Sequence, residues 1–363
     1  MDKISILELE NLSTGYRIKR NEKVISRALN AQLHQGELTC LLGPNGCGKS
    51  TLLRTLAGFQ PALGGDVYID HRKLSAYSSK ELSRLVSVVL TDNSGIRNMT
   101  AREVVAIGRS PYTGFWGRLG EKDHNIVAKC LQWVGITELA DRNMQTLSDG
   151  ERQKVMIAKA IAQETPIILL DEPTAFLDYP SKMSMLMLLH RLAKALKKTI
   201  FLSTHDLEHA LQIADQVWLL DQERGLTTGM PEDLCIEGAI EDYFLRPGMA
   251  FDPFTATFSI QPETAREIII EGNPDSLNYR LACRAFMRNA LRPIASYADH
   301  QLDSTLPDVI IRIDAEGQYH LFSQGKETIC VPRIEQLIGI TNSTIVKNQI
   351  TAVRDAAHMT PYE

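Results

Sequence analysis

Residues 43–50 read Gly43-Pro44-Asn45-Gly46-Cys47-Gly48-Lys49-Ser50 and match the pattern GxxxxGK[ST] without a gap. The apolar run Leu38–Leu42 stands directly before this stretch, and the helix-like sequence 51–56 stands directly after it. Strand, glycine-rich loop and helix in this order form the context that a phosphate-binding loop requires. The sequence therefore predicts a nucleotide-phosphate site here, and the alternative is a glycine-rich turn that matches by chance.

The chemistry of this loop follows from its residue types. Glycines let the backbone curl so that several N–H groups point at the β-phosphate, and the following helix N-terminus adds a partial positive charge. Lys49 can reach the β- and γ-phosphates, the Ser50 hydroxyl is placed to ligate Mg²⁺, and Thr51 can support the α-phosphate. We therefore expect the loop to bind a nucleoside triphosphate together with Mg²⁺.

The composition is that of an ordinary globular protein. The 363 residues are enough for two domains, and 44% hydrophobic with 23% charged residues excludes wholesale disorder. A net charge of -5 argues against a nucleic-acid footprint over the whole chain. No apolar run approaches the roughly 18 residues of a membrane helix, and the N-terminus has no signal-peptide stretch. Six scattered cysteines without a CxxC pair suit a reducing cytosol better than a zinc site.

The chain changes character near residue 250. Up to that point short apolar runs alternate with helix-like segments, which predicts an α/β fold with a mostly parallel sheet. Phe251-Asp252-Pro253-Phe254 is interpreted as a linker, so the predicted domains are 1–250 and 255–363. The second region predicts a small α+β unit with one helix followed by an antiparallel meander. The strands of the first region are predicted at the runs Leu38–Leu42, Val86–Leu90, Ile167–Leu170, Ile200–Leu202 and Val217–Leu220.

Two carboxylates follow one of these runs. Ile167–Leu170 is typical of a strand buried on both faces, and Asp171 and Glu172 come directly after it. Acids at the carboxyl end of such a strand lie where ligands bind in open α/β sheets. We expect Asp171 to support Mg²⁺ and Glu172 to act as general base on the attacking water. The alternative is an ordinary strand exit with two solvated acids.

The segment 147–153, Leu-Ser-Asp-Gly-Glu-Arg-Gln, stands before the Asp171-Glu172 strand. Together with the two motifs above, it resembles the signature of ATP-binding-cassette (ABC) ATPases over roughly residues 5–245. The resemblance implies a P-loop NTPase-type ABC domain, that is, a RecA-like core with antiparallel β and helical subdomains.

The resemblance also implies roles for single residues. Tyr16 lies where the family stacks an aromatic ring on adenine, and His205 resembles the switch histidine that contacts the γ-phosphate. Ser148 and Gly150 would cap the γ-phosphate held by a second copy, so that two ATP molecules lie in a head-to-tail homodimer. Phe176-Leu177-Asp178 resembles the D-loop.

A finer resemblance concerns residues 99–112 and 116–119. They resemble the ATPase subunits of bacterial importers for iron–siderophores, haem and cobalamin, which implies a separate membrane permease and, through it, a substrate-binding protein. The expected location is the cytoplasmic face of the cell membrane, without nucleic acid. A soluble ABC ATPase acting on the ribosome or nucleic acid is the alternative, and a third interpretation makes the C-terminal unit a ligand-sensing centre gated by nucleotide.

Several features stay open or depart from the family pattern. Thr91 stands where the family has a glutamine that touches Mg²⁺, so either a neighbouring group substitutes or coupling is altered. Cys47 is expected to have a lowered thiol pKa beside Lys49, and the alternative is an inert, shielded thiol. His209 is expected at the surface, as are His124 and His300.

A basic stripe at Arg280, Arg284, Arg288 and Arg292 is predicted on one helix, where it would be a solvated face or a contact with an acidic partner.

Overall fold

A computed structural model describes residues 4–18, 21–90, 98–114, 117–262, 265–295, 309–323 and 326–345. The chain divides into two compact units, Met1–Phe244 and Leu245–Glu363. Throughout the described ranges, no helix combines the length and the apolar character needed to cross a membrane.

The first unit is built around a six-stranded mixed sheet. In spatial order its strands are β10 (Gly225–Gly229), β9 (Gln216–Asp221), β3 (Leu38–Leu42), β8 (Thr199–Ser203), β7 (Ile167–Asp171) and β6 (Val86–Val89). All neighbouring pairs run parallel except β10 with β9. The strands predicted at the five apolar runs are therefore confirmed, and the carboxyl ends of β3, β8, β7 and β6 meet at one edge of the sheet.

A second sheet of four antiparallel strands belongs to the same unit. Its order is β2 (Asn21–His34), β1 (Ser5–Ile18), β4 (Gly64–Ile69) and β5 (Arg72–Lys73). Leucines of β1 and β2 join one hydrophobic core with Leu52, Leu53 and Leu56 of helix α1 (Lys49–Leu56) and with Leu169 of β7. Helix α1, which follows the glycine-rich loop, is thus held by the apolar faces of both sheets.

Three helices form a separate packed group in this unit. Helices α3 (Ala101–Ile107), α4 (Glu121–Trp133) and α5 (Asp149–Ala162) contact one another, and α5 also contacts β6. The buried Arg109 fastens this group, because its guanidinium lies 2.8 Å from both the Asp123 and the Glu164 carboxylates. The other helices are α2 (Ser79–Leu82), α6 (Tyr179–Leu196), α7 (Leu207–Ile213), α8 (Pro231–Ile236) and α9 (Ala239–Phe244).

The second unit contains its own five-stranded sheet. The order is β14 (Leu291–Ile294), β13 (Arg266–Glu271), β15 (Val309–Ile313), β16 (Tyr319–Ser323) and β17 (Lys326–Val331). The last three strands form the predicted antiparallel meander. Helix α10 (Leu277–Arg288) and a helix over 334–345 supply Phe286 and Leu337 to the core of this unit.

The stretch interpreted as a linker is a β-hairpin instead. Strand β11 (Met249–Asp252) pairs with β12 (Thr257–Ile260), and Phe251 is buried with its ring centroid 4.9 Å from that of Phe258. The Asp252 carboxylate accepts hydrogen bonds from the Phe254 N–H and the Thr255 hydroxyl, so the turn-forming residues close a hairpin. The compact units meet at residues 244 and 245, a few residues before the predicted boundary.

Only three of the four arginines in the predicted basic stripe lie on the helix. Arg280, Arg284 and Arg288 are exposed on α10, opposite the buried Ala285 and Phe286. Arg292 lies beyond the helix on β14. The helix ends at Arg288 because the next residues turn into a parallel strand beside β13, so the spacing of four does not continue.

Candidate nucleotide-binding and hydrolysis site

The glycine-rich loop leaves β3 and enters α1 at the carboxyl edge of the parallel sheet. At Gly43 a Cβ atom would stand 2.1 Å from the Leu220 carbonyl oxygen, so a side chain cannot fit. Gly48 caps α1 with a φ of 110, in the left-handed region, and the Ile25 side chain occupies the space beside it. The buried Lys49 donates to the Gly43 and Pro44 carbonyls at 2.8 and 3.1 Å. Its ammonium group is therefore held over the loop.

Tyr16 lies beside the first turn of α1. Its hydroxyl is 2.6 Å from the Thr51 hydroxyl, and its side chain is half-exposed. Gln60 supports the same region by donating to the carbonyls of Gly15 and Thr51. The structure therefore places Tyr16 next to the phosphate loop, with part of its side chain exposed.

Asp171 connects three elements at the sheet edge. Its Oδ1 accepts hydrogen bonds from the Ser50 hydroxyl at 3.0 Å and from the Ser203 hydroxyl at 2.7 Å. Asp171 and Ser203 are both buried and face each other in the register of β7 and β8. Carboxylate and hydroxyl oxygens from different strands thus converge beside the phosphate loop, and these are the ligand atoms that Mg²⁺ prefers.

Glu172 and His205 form a contact pair at the ends of β7 and β8. The Glu172 Oε1 lies 2.5 Å from the His205 Nε2, and the Glu172 N–H donates to the Ser203 hydroxyl at 3.0 Å. Glu172 has a φ of 49, a left-handed conformation that is strained for a residue with a side chain. The neighbouring strand holds it there, which directs a carboxylate and an imidazole into the same space.

The signature segment lies elsewhere in the unit. Ser148 caps helix α5 and forms a capping box with Glu151, because each side chain accepts the other residue's backbone N–H. Ser148 is exposed and Gly150 half-buried, and α5 packs on α3, α4 and β6. The fold therefore brings Lys49, Ser50, Asp171, Glu172 and His205 together, while Ser148 and Gly150 sit at a different helix N-terminus.

Two expectations about single residues are wrong. Burial raises the pKa of the Cys47 thiol, and the Lys49 charge offsets this rise only in part. His209 is buried, not exposed, with its ring centroid 4.4 Å from that of Tyr179. His124 is exposed as expected. Thr91, Trp116 and His300 lie outside the described residues.

Two residues that contact the site belong to none of the predicted motifs. Ser203 joins Asp171 to the Glu172 backbone, and Gln222 donates from its side-chain amide to the Gly46 carbonyl at 2.8 Å. Ser203 directly follows a predicted buried strand, but the sequence does not show that this strand pairs with the strand that ends in two acids. Gln222 had no such signal, since it lies in a turn after β9.

The comparisons with known proteins agree with this geometry. The profile of the ABC transporter family matches residues 26–175. An ABC transporter ATP-binding protein of Methanocaldococcus jannaschii is 42% identical over 229 residues, 63% of this chain and 78% of the relative. The ferric enterobactin transport ATP-binding protein FepC of Escherichia coli is 35% identical over 262 residues, 72% of this chain and 95% of the relative.

The chain belongs to the ABC transporter family. A dimeric ATP-binding cassette solved in a post-hydrolysis state with ADP and phosphate is 28% identical, with a TM-score of 0.53. That match covers 60% of this chain and 95% of the solved one. The predicted ABC fold is thereby confirmed, and the chain is an ATP-binding protein of an ATPase family. Its cassette lies in the first unit, since the profile match ends before residue 244.

Proposed function

We propose that this ABC protein is the ATP-hydrolysing subunit of an importer that takes up iron–siderophore complexes through a separate membrane permease. The similarity to the ferric enterobactin protein carries this proposal, because it extends over 95% of that relative. The ABC cassette would lie on the inner face of the cell membrane. Haem and cobalamin are the other substrate classes of the importer branch that the sequence resembles.

The contacts at the sheet edge support a role for each residue. Lys49 and the loop N–H groups would bind the β- and γ-phosphates, and Tyr16 would stack on adenine. Glu172 would accept a proton from the attacking water, since its carboxylate is held at the strand end by its strained backbone. His205, 2.5 Å from Glu172, would position the γ-phosphate relative to that carboxylate.

The residues around Asp171 fit a magnesium ion. The Ser50 hydroxyl and the Asp171 carboxylate are 3.0 Å apart and are both hard oxygen donors. In the described part of the chain, no group of three or more His, Cys, Asp or Glu side chains could hold a metal. The proposed Mg²⁺ site would have few protein ligands and would be completed by phosphate oxygens and water. Bound there, Mg²⁺ would neutralise charge that develops on the transferred phosphate.

A head-to-tail homodimer accounts for the position of the signature segment. Ser148 and Gly150 begin a 14-residue helix whose N-terminus favours an anion. In one chain this helix packs on α3, α4 and β6, and the similar cassette with ADP and phosphate was solved as a dimer. Each signature would therefore complete the ATP site of the second copy.

Residues 245–363 would form a separate domain with a regulatory role.

The test is iron uptake by cells of the source organism that lack this chain. Return of the wild-type chain should restore uptake of a radiolabelled ferric siderophore, and the Glu172→Gln variant should not. The exposed α10 residue Arg284 supplies a matched control, because Arg284→Ala leaves the nucleotide site intact and should restore uptake. Normal siderophore uptake without the chain would refute the proposed substrate class. Cofractionation with ribosomes instead of membranes would favour the soluble ABC ATPase.

A further inference from the structure

Two loops leave neighbouring parallel strands side by side at the hydrolysis site. The loop after β7 carries Glu172 and leads to α6, and the loop after β8 carries His205 and leads to α7. The relative position of the two side chains therefore depends on how the first turns of α6 and α7 are held together.

An ion pair joins these two first turns. The Asp206 Oδ1 lies 3.1 Å from the Lys182 Nζ, and both side chains are 26% exposed. The Thr174 hydroxyl lies 3.5 Å from the other Asp206 oxygen. Asp206 directly follows His205, and Thr174 stands two residues after Glu172. The Asp206 carboxylate thus connects the histidine loop with the glutamate loop and with α6.

Asp206 lies at the start of α7, but its side chain does not make the hydrogen bond that this position favours. Asp206 occupies the N-cap of α7, where an aspartate side chain normally accepts a hydrogen bond from a backbone N–H of the first turn. Here the side chain makes no cap hydrogen bond, and ψ is 83. Asp178 does make the usual cap on α6, accepting from the Ser181 N–H at 3.0 Å. The Asp206 carboxylate is therefore directed away from its own helix and toward α6.

A second contact joins the same two helices. The buried His209 ring packs on Tyr179, the first residue of α6, with the ring centroids 4.4 Å apart. His209 and Tyr179 stand three residues from Asp206 and Lys182 respectively, so both contacts bridge the same pair of first turns. Phe176, between Glu172 and α6, is 86% exposed in the single chain. The start of α6 therefore directly follows an exposed segment in the chain and also contacts the residues that follow His205.

We propose that Asp206 and Lys182 are positioning residues that hold His205 against Glu172 during ATP hydrolysis. The side-chain contacts described above join Asp206 and Lys182 to each other and to Thr174, and none of these contacts involves the phosphate loop between β3 and α1 or Tyr16 on β1. Loss of the ion pair should therefore lower the rate of the chemical step and leave ATP affinity unchanged. The inference rests on the proposed roles of Glu172 and His205.

The experiment measures ATP turnover and ATP binding by the full chain. Lys182→Met keeps the length of the side chain and removes its charge, and we expect kcat to fall about 10-fold with KM for ATP within about twofold. A small displacement of a catalytic group can cost up to about 10²-fold, so this expectation is moderate. Lys182→Arg should keep wild-type kcat, because a guanidinium also pairs with a carboxylate. Asp206→Asn should match Lys182→Met, and the double variant should be no slower than either single variant.

Lys194 provides the matched control on the same helix. Its Nζ lies 2.6 Å from Asp215, at the far end of α6 from the site. Lys194→Met removes a comparable ion pair and should leave kcat unchanged. Equal losses of kcat in both methionine variants, or a loss in the double variant equal to the product of the two single losses, would overturn the inference. Absence of turnover in the wild-type chain would instead count against the proposed ATPase chemistry.

Discussion

Ser203 offers a sharp test of how the sheet edge holds the hydrolysis site. Its hydroxyl is fully buried, donates to the Asp171 carboxylate at 2.7 Å and accepts from the Glu172 N–H at 3.0 Å. Ser203→Ala removes both hydrogen bonds and changes the volume little. One carboxylate lone pair and one backbone N–H would then lack this partner at the centre of the site.

The magnitude follows from the two bonds. A hydrogen bond to a charged group contributes about 1.5–3 kcal/mol and a neutral one about 1 kcal/mol. Since relaxation of the neighbours recovers part of this sum, we expect the free energy of unfolding to fall by about 2–3 kcal/mol. For a unit of this size that lowers Tm by about 4–12 °C. Displacement of Glu172 should also lower kcat by about 10- to 100-fold.

The assay combines thermal unfolding with ATP turnover, and Ser87→Ala is its control. Ser87 is a buried serine on β6 whose hydroxyl lies 3.0 Å from that of Thr165, away from the catalytic edge. It should lose a similar amount of stability while keeping wild-type kcat. A Ser203→Ala variant that melts early but hydrolyses ATP at the wild-type rate would show that this hydroxyl does not position Glu172.

Further predictions concern the general base, the second unit and the thiols. Glu172→Gln should bind ATP, hydrolyse it about 10²- to 10⁴-fold more slowly and accumulate as an ATP-bound dimer in gel filtration; near-normal turnover would exclude the assigned base. A chain shortened to residues 1–244 should still bind ATP in calorimetry, and a folded product without affinity would contradict the two-domain proposal. Brief alkylation near pH 7 with peptide mapping should label the exposed Cys330 before Cys47, because burial raises the pKa of the Cys47 thiol and so lowers its thiolate fraction. Preferential labelling of Cys47 would show that its loop opens to reagent.

The local motifs of this protein could be predicted from the sequence because the residues that make up each motif lie close together in the chain. The glycines and Lys49 of the phosphate loop lie within eight consecutive residues, and a strand–loop–helix context surrounds them. The buried strands were equally readable, since runs such as Ile167–Leu170 are apolar on both faces. The same holds for the signature helix, whose Ser148 and Glu151 form the capping box within four residues.

Tertiary structure alone decided the contacts between segments that are distant in the chain. Ser203 reaches Asp171 across 32 positions of sequence because β7 and β8 are adjacent strands in register, which no local pattern encodes. Burial also reversed one local expectation. Cys47 sits beside a lysine, yet exclusion of water outweighs that charge and raises the pKa of its thiol. Asp206 has the sequence of a helix cap, but a lysine one helix away takes its carboxylate, because packing of α6 on α7 brings that charge within 3.1 Å.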